Sequence, residues 1–135
     1  MLKKPLFWET FSFFLIIGTL NYLANIYDWY WSIRELDSLV HFLGGVFVSL
    51  FFLWLYFFSG VFFPKERNLK NFLMISALGI LLAGVSWEAY ELLLGEAKFT
   101  GAEYPFDTTL DLIMDSLGAV AACFYGYMKE INARQ

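Results

Sequence analysis

The composition of this chain excludes a soluble globular domain, and its charge argues against a nucleic-acid-binding protein. Of its 135 residues, 59% are hydrophobic and only 16% are charged, too few polar groups to cover the surface of a soluble domain. The formal net charge is −4, and no cluster of lysine and arginine is present that could bind a phosphate backbone. We therefore expect a membrane protein with membrane lipid around it and no nucleic-acid partner.

Four hydrophobic runs follow one another along the chain, and each reaches the roughly 20 residues that a helix needs to cross a bilayer. Aromatic residues typical of a membrane interface follow the first run, Pro64 and charged residues stop the second, and Gly95 suits the C′ position of the third. The sequence predicts an all-α fold, a four-transmembrane-helix bundle forming a single transmembrane domain over residues 1–135. The predicted helices are 5–27, 36–63, 71–94 and 107–128.

Basic residues predict the orientation of this bundle. They flank helix 1 at its start, lie between helices 2 and 3, and follow helix 4, whereas the other two loops hold only Arg34 and Lys98. Because basic loops stay in the cytoplasm, we expect a multi-pass protein of the plasma (inner) membrane with cytoplasmic N- and C-termini.

Ionisable residues collect at the ends of three helices that this orientation places toward the outer leaflet. The sole histidine, His41, lies four residues after Asp37 at the start of helix 2. Helix 3 carries its acids near its end and helix 4 carries them in its first turns. The candidate site residues are Asp37, His41, Glu88, Glu91, Asp107, Asp111 and Asp115.

Helical spacing places these groups on faces that also carry small residues. Asp107, Asp111 and Asp115 share a stripe with Gly118 at about 100° per residue, and the helix 2 and helix 3 groups likewise share stripes with glycine or alanine. Small residues mark close contacts between membrane helices. We therefore expect the acids to face one another inside the bundle.

Several acids in one pocket of a membrane need a neutralising partner, because a charge at the centre of a bilayer helix costs at least about 2.5–3.5 kcal/mol. Protons, the nearby cations or a metal ion could supply it. Carboxylates with one imidazole suit a divalent metal ion, and bundle metal sites use inward carboxylates and histidines from facing helices. The seven residues are thus candidate metal ligands, and His41 or Glu88 could instead act as a catalytic general base.

Structural roles compete with this interpretation for some residues. Asp37 and Asp107 each stand at a predicted helix start, where aspartate often caps the helix. Asp111 and Asp115 lie one and two turns further in, so capping does not explain them. Asn21 and Asn25, four residues apart on helix 1, suit interhelical hydrogen bonding or the lining of the same pocket.

Three segments carry a family resemblance: Asp37 to Phe42 followed by two glycines, Trp87 to Glu91, and the Asp-Thr-x-x-Asp segment from Asp107 to Asp111 that leads to Gly118 and Ala119. Together they resemble the VanZ-like superfamily of small membrane proteins, especially its YjdF-type branch. The resemblance implies a bacterial-type cell-envelope membrane protein, in a superfamily associated with tolerance of glycopeptide antibiotics.

Three functions remain open from the sequence. The first is a metal-dependent enzyme acting on a lipid-linked or cell-envelope substrate. The second is an ion or proton-coupled transporter, and the third is a non-catalytic envelope binding or scaffold protein. Self-association into a homo-oligomer is compatible with all three.

Overall fold

The computed structural model describes residues 5–33, 35–64, 66–94 and 104–133, and every regular element in these ranges is helical. Four segments are long and apolar enough to cross a membrane: Phe7–Ile26, Leu36–Phe58, Leu69–Trp87 and Thr108–Asn132. The predicted all-α architecture with four spans is confirmed. The elements in chain order are α1 (Phe7–Ile26), α2 (Trp29–Ser32), α3 (Leu36–Leu53) with a π-helical segment (Trp54–Phe58) that continues it, α4 (Leu69–Leu94) and α5 (Tyr104–Asn132).

The second span ends five residues before the predicted position, at Phe58 instead of Phe63. Gly60 follows with φ 88°, a left-handed conformation that glycine adopts without strain and that commonly terminates a helix. The Ser59 hydroxyl donates to the carbonyl of Leu55 and accepts from the backbone N–H of Val61. These bonds satisfy backbone groups at the end of the helix.

The last two helices begin earlier than predicted. The Asn68 carboxamide oxygen accepts a hydrogen bond from the backbone N–H of Asn71 at 2.9 Å, so Asn68 caps a helix that starts at Leu69. Helix α5 starts at Tyr104, which places Pro105 in the first turn, where its missing N–H costs nothing. The predicted Gly95 cap and most of the following loop lie outside the described residues.

Two glycines bring α3 and α5 into backbone contact. A Cβ atom built on Gly45 would lie 2.0 Å from the carbonyl oxygen of Asp115, and one built on Gly118 would lie 2.0 Å from that of Phe42. No side chain larger than hydrogen fits at either position. Helix α3 consequently packs more extensively against α5 than against any other element.

The half of the bundle away from Asp37 holds the buried core. Leu50, Leu53 and Phe57 of the second span pack with Phe72 of α4 and Cys123 of α5. A buried hydrogen bond of 2.8 Å joins the hydroxyls of Ser49 and Ser76, linking α3 to α4.

Ion pairs close the end of the bundle beyond this core. The Arg67 guanidinium donates to the Phe57 carbonyl at 2.9 Å and pairs with Glu130 at 3.4 Å. Lys129 of α5 pairs with Glu9 of α1. These contacts extend α5 to Asn132, four residues beyond the predicted end, and they lie at the end of the bundle opposite His41.

Candidate metal centre

His41 and Asp37 project from the first turns of α3. They are four residues apart and so lie on the same helical face. The N-cap position of α3 is Glu35, and no side chain makes a capping hydrogen bond there. Asp37 therefore lies inside the helix, and its carboxylate is not used for capping.

Two carboxylates from α5 face the imidazole of His41. Asp111 Oδ2 lies 3.6 Å from Nε2, and Asp115 Oδ2 lies 3.5 Å from Nδ1. All three side chains are largely shielded, with 17–19% of their surface exposed. The close approach at Gly45 and Gly118 sets these distances, because it brings the backbone of α5 against α3 at the level of Asp115.

Three of the predicted ligands form a compact donor group. Asp37, His41 and Asp111 each offer one ligand atom, and these atoms all lie within 4.8 Å of one another. Metal–ligand distances of about 2.0–2.2 Å place any two donors of one ion at most about 4.4 Å apart, so binding would draw these atoms slightly closer together. The structure thus brings together ligand types from two helices that are distant in sequence.

The other predicted ligands fall in two classes. Asp115 lies beside His41 on the ring nitrogen that points away from Asp111. Glu88 and Glu91 lie on α4, and Asp107 lies in the first turn of α5. The side chains of these last three residues lie outside the part of the structure that is described.

The arrangement around His41 resembles that of a metal-bound histidine. Such a histidine usually donates the N–H of its second ring nitrogen to a carboxylate, which fixes the tautomer and the ring orientation. One imidazole and two carboxylates suit Mg²⁺, Mn²⁺, Zn²⁺ or Fe²⁺. An ion held by these three residues would have coordination positions left for water or substrate, as in catalytic sites.

A polar group at the edge of the cluster was not among the predicted site residues. The Tyr30 hydroxyl of α2 donates to the Asn21 carboxamide oxygen at 2.6 Å, and the Asn25 amide donates to the Asn21 carbonyl at 2.8 Å. Burial, together with the negative charge of Asp37, raises the pKa of the Tyr30 phenol, so the phenol stays a neutral donor. The sequence signal for this group was the pair of asparagines, whereas Tyr30 was hidden in an aromatic interface segment.

Comparison with known proteins places the chain in a family. Residues 5–131 match the family model described as "Predicted membrane protein (DUF2238)". The chain belongs to the DUF2238 family. No curated protein and no solved structure matches it.

The matched range of this DUF2238 protein includes the first three spans, all but the last residue of the fourth, and every residue of the cluster. Membership confirms a membrane protein family. The more specific resemblance to the VanZ-like superfamily and its YjdF-type branch stays a prediction.

Proposed function

We propose that this DUF2238 protein binds one divalent metal ion through Asp37, His41 and Asp111. The observation that carries the proposal is the convergence of their three donor atoms within 4.8 Å. In this arrangement His41 coordinates through Nε2, which faces Asp111, and donates from Nδ1 to Asp115. Asp115 is then the carboxylate that orients the imidazole.

The energetics of the membrane support a bound cation. Asp37, Asp111 and Asp115 surround one imidazole inside two candidate spans. Ionised carboxylates at membrane depth are costly and are usually paired with one another or with a partner of opposite charge. Even a protonated His41 balances only one of the three negative charges, whereas a divalent ion balances two.

The chemistry that such an ion supplies favours an enzyme acting on a lipid-linked or cell-envelope substrate. A metal ion with open positions can polarise a phosphoryl or acyl oxygen, or lower the pKa of a bound water. His41 serves as a ligand here, which leaves Glu88 of α4 as the predicted general base. The basic residues of the sequence support an orientation in which this site faces outward from the plasma (inner) membrane.

The interior of the other half of the bundle favours this function over a transporter. Beyond the cluster the core is formed by leucine, phenylalanine and cysteine side chains. Ser49 and Ser76 are also buried in this half, and their hydroxyls hydrogen-bond to each other. A permeation path would need polar groups that continue through this half, so the pocket is better suited to bind a ligand from one side. A non-catalytic binding protein would use the same site without turnover.

Metal analysis of the purified, untagged protein tests the proposal. After equilibration with Mn²⁺ or Zn²⁺ we expect about one ion per chain in the wild type and a loss of at least tenfold in affinity for both His41→Ala and Asp111→Asn. Ser116→Ala is the matched control, because the Ser116 hydroxyl donates to the Leu112 carbonyl of its own helix. Equal metal affinity in all four proteins, or no bound metal in the wild type, would contradict the site.

A further inference from the structure

An apolar groove runs along α4 and α5 beside the metal-ligand cluster. Its volume is about 840 Å³. Small residues of α4 leave the space of the groove unfilled on one side. At Gly84, a built Cβ atom would contact the Leu112 side chain at 3.5 Å. The wall residues include Leu73, Ala77, Gly84 and Ala89 of α4 with Leu112 and Cys123 of α5.

The dimensions of the groove fit a hydrocarbon chain better than a helix. Leu73 and Ala89 are sixteen residues apart on α4, so the groove is about 24 Å long at 1.5 Å per residue. Its volume then gives a mean cross-section of roughly 35 Å², less than half of the roughly 80 Å² of a helix 10 Å across. A groove of this width encloses a hydrocarbon chain more closely than a helix of a second copy of the chain.

Most of the groove lies within the spans, and it adjoins the cluster. Its wall residues other than Ala89 belong to two candidate membrane spans, so the medium that this part opens to is hydrocarbon. Leu112 and Ser116 line it, and each directly follows a cluster residue, Asp111 or Asp115, on α5. The same two turns of α5 thus carry the cluster carboxylates on one face and line the groove with the adjacent face.

Charge decides which kind of lipid suits both features. The carboxylates alone would repel a phosphate. A divalent ion with open coordination positions would attract one, and Mg²⁺ in particular is commonly held by one or two carboxylates together with substrate phosphates. A lipid phosphate on the ion and its chain in the groove would use the two features together.

We propose that the groove holds one acyl chain of a phospholipid whose phosphate completes the coordination of the metal ion at Asp37, His41 and Asp111. This inference rests on the proposed function and names its substrate class. It assigns chain recognition to Ala77 and Gly84 of α4, which the metal site does not use.

Photo-crosslinking tests this assignment. The untagged protein is reconstituted with Mn²⁺ in phosphatidylcholine nanodiscs that contain a small fraction of phosphatidic acid carrying a diazirine in mid-chain, and the crosslinks are mapped by mass spectrometry. We expect them to concentrate on the groove residues of α4 and α5 and to fall at least fivefold in Gly84→Leu and Ala77→Leu, with metal content unchanged. Chelation of the Mn²⁺ should lower wild-type groove labelling severalfold, because the phosphate loses its partner.

Gly18→Leu on α1 is the matched control, because a Cβ atom there would meet nothing within 4 Å, and it should leave groove labelling unchanged. Full metal content with undiminished labelling in both groove variants would overturn the lipid groove and leave the metal site standing. Crosslinks spread evenly over α1, α4 and α5, or groove labelling that chelation does not change, would also overturn it. Wild-type protein without bound metal would instead contradict the proposed function.

Discussion

A single imidazole lies at the centre of the chemistry proposed for this protein. His41 is the only histidine in the sequence, and each of its ring nitrogens faces a carboxylate of α5. A neutral imidazole has one N–H donor and one lone pair. Donation from Nδ1 to Asp115 would leave the lone pair of Nε2 for a metal ion shared with Asp111.

This division of roles predicts a graded effect of substitutions on α5. Asp115→Asn should weaken metal binding by about 10–100-fold, as is typical for the loss of a carboxylate that orients a ligating histidine. Asp111→Asn should have the larger effect, because it removes a ligand. Isothermal titration of the purified variants with Zn²⁺ measures both. An Asp115→Asn protein that binds as tightly as the wild type, or as poorly as Asp111→Asn, would contradict the assigned role.

The raised pKa of the Tyr30 phenol predicts that the stability of the folded protein falls at alkaline pH. Tyr30→Phe removes the hydrogen bond to Asn21 and should cost about 0.5–1.5 kcal/mol at neutral pH. The pKa of Tyr30 is raised in the folded protein by burial and by Asp37. As the pH passes the ordinary tyrosine value of about 10, the unfolded chain loses this proton first, and the unfolded state gains stability relative to the folded state.

The stability advantage of the wild type over Tyr30→Phe should therefore be complete near pH 8 and shrink as the pH rises above about 10. Unfolding by denaturant in detergent, measured for both proteins at each pH, tests the sign. An advantage that grows with pH would show that the phenol ionises more easily in the folded protein.

At the scale of the elements, the contact between α3 and α5 holds the site together. Gly45→Ala and Gly118→Ala each add a Cβ atom where the opposite backbone lies about 2.0 Å away, so the helices must separate. We expect a loss of about 1–3 kcal/mol in stability, the usual cost of overpacking, together with weaker metal binding. Gly18→Ala, in open space on α1, should not lower stability, because alanine is more favourable than glycine inside a helix by about 0.5–1 kcal/mol. Equal unfolding midpoints for the three variants would contradict this contact.

Helical periodicity predicted which residues share a face of a helix. It could not predict whether that face contacts another helix or lines a groove. The small residues of α3 and α5 do mark a close contact, at Gly45 and Gly118. The corresponding stripe of α4, with Ala77 and Gly84, lines the groove instead, and Gly79 is the tight position there, with Phe52 of α3 only 2.8 Å from its built Cβ atom. The predicted end of the second span was wrong for a related reason. Hydrophobic residues continue past Gly60, whereas the helical backbone conformation ends before it.

At the scale of the whole molecule, the bundle has two unlike ends. The Asp37 end carries the cluster of carboxylates and histidine, and the opposite end carries the apolar core and the ion pairs of Arg67 and Lys129. Composition and run length were sufficient to predict four spans, because the bilayer sets both. The convergence of Asp37 with Asp111 followed from topology. The pairing of Asp115 with His41 and the hydrogen bond of Tyr30 depend on side-chain positions, which helical periodicity in the sequence does not predict.

The predicted orientation can be tested on the whole chain. With cytoplasmic termini, a C-terminal green fluorescent protein fusion should fluoresce and an alkaline phosphatase fusion at the same position should be inactive. A phosphatase inserted in the loop at residue 98, between the third and fourth spans, should be active. The reverse pattern would place the cluster on the cytoplasmic side and remove the support for an envelope substrate.

Pulsed electron paramagnetic resonance of bound Mn²⁺ tests the metal site most directly. Because His41 is the only histidine, an imidazole nitrogen coupled to the ion in the untagged protein must come from this residue. We predict that this nitrogen coupling is present in the wild type and Ser116→Ala and absent from His41→Ala. Mn²⁺ that binds the wild type without any coupled nitrogen, or no bound Mn²⁺ at all, would contradict a metal site at Asp37, His41 and Asp111.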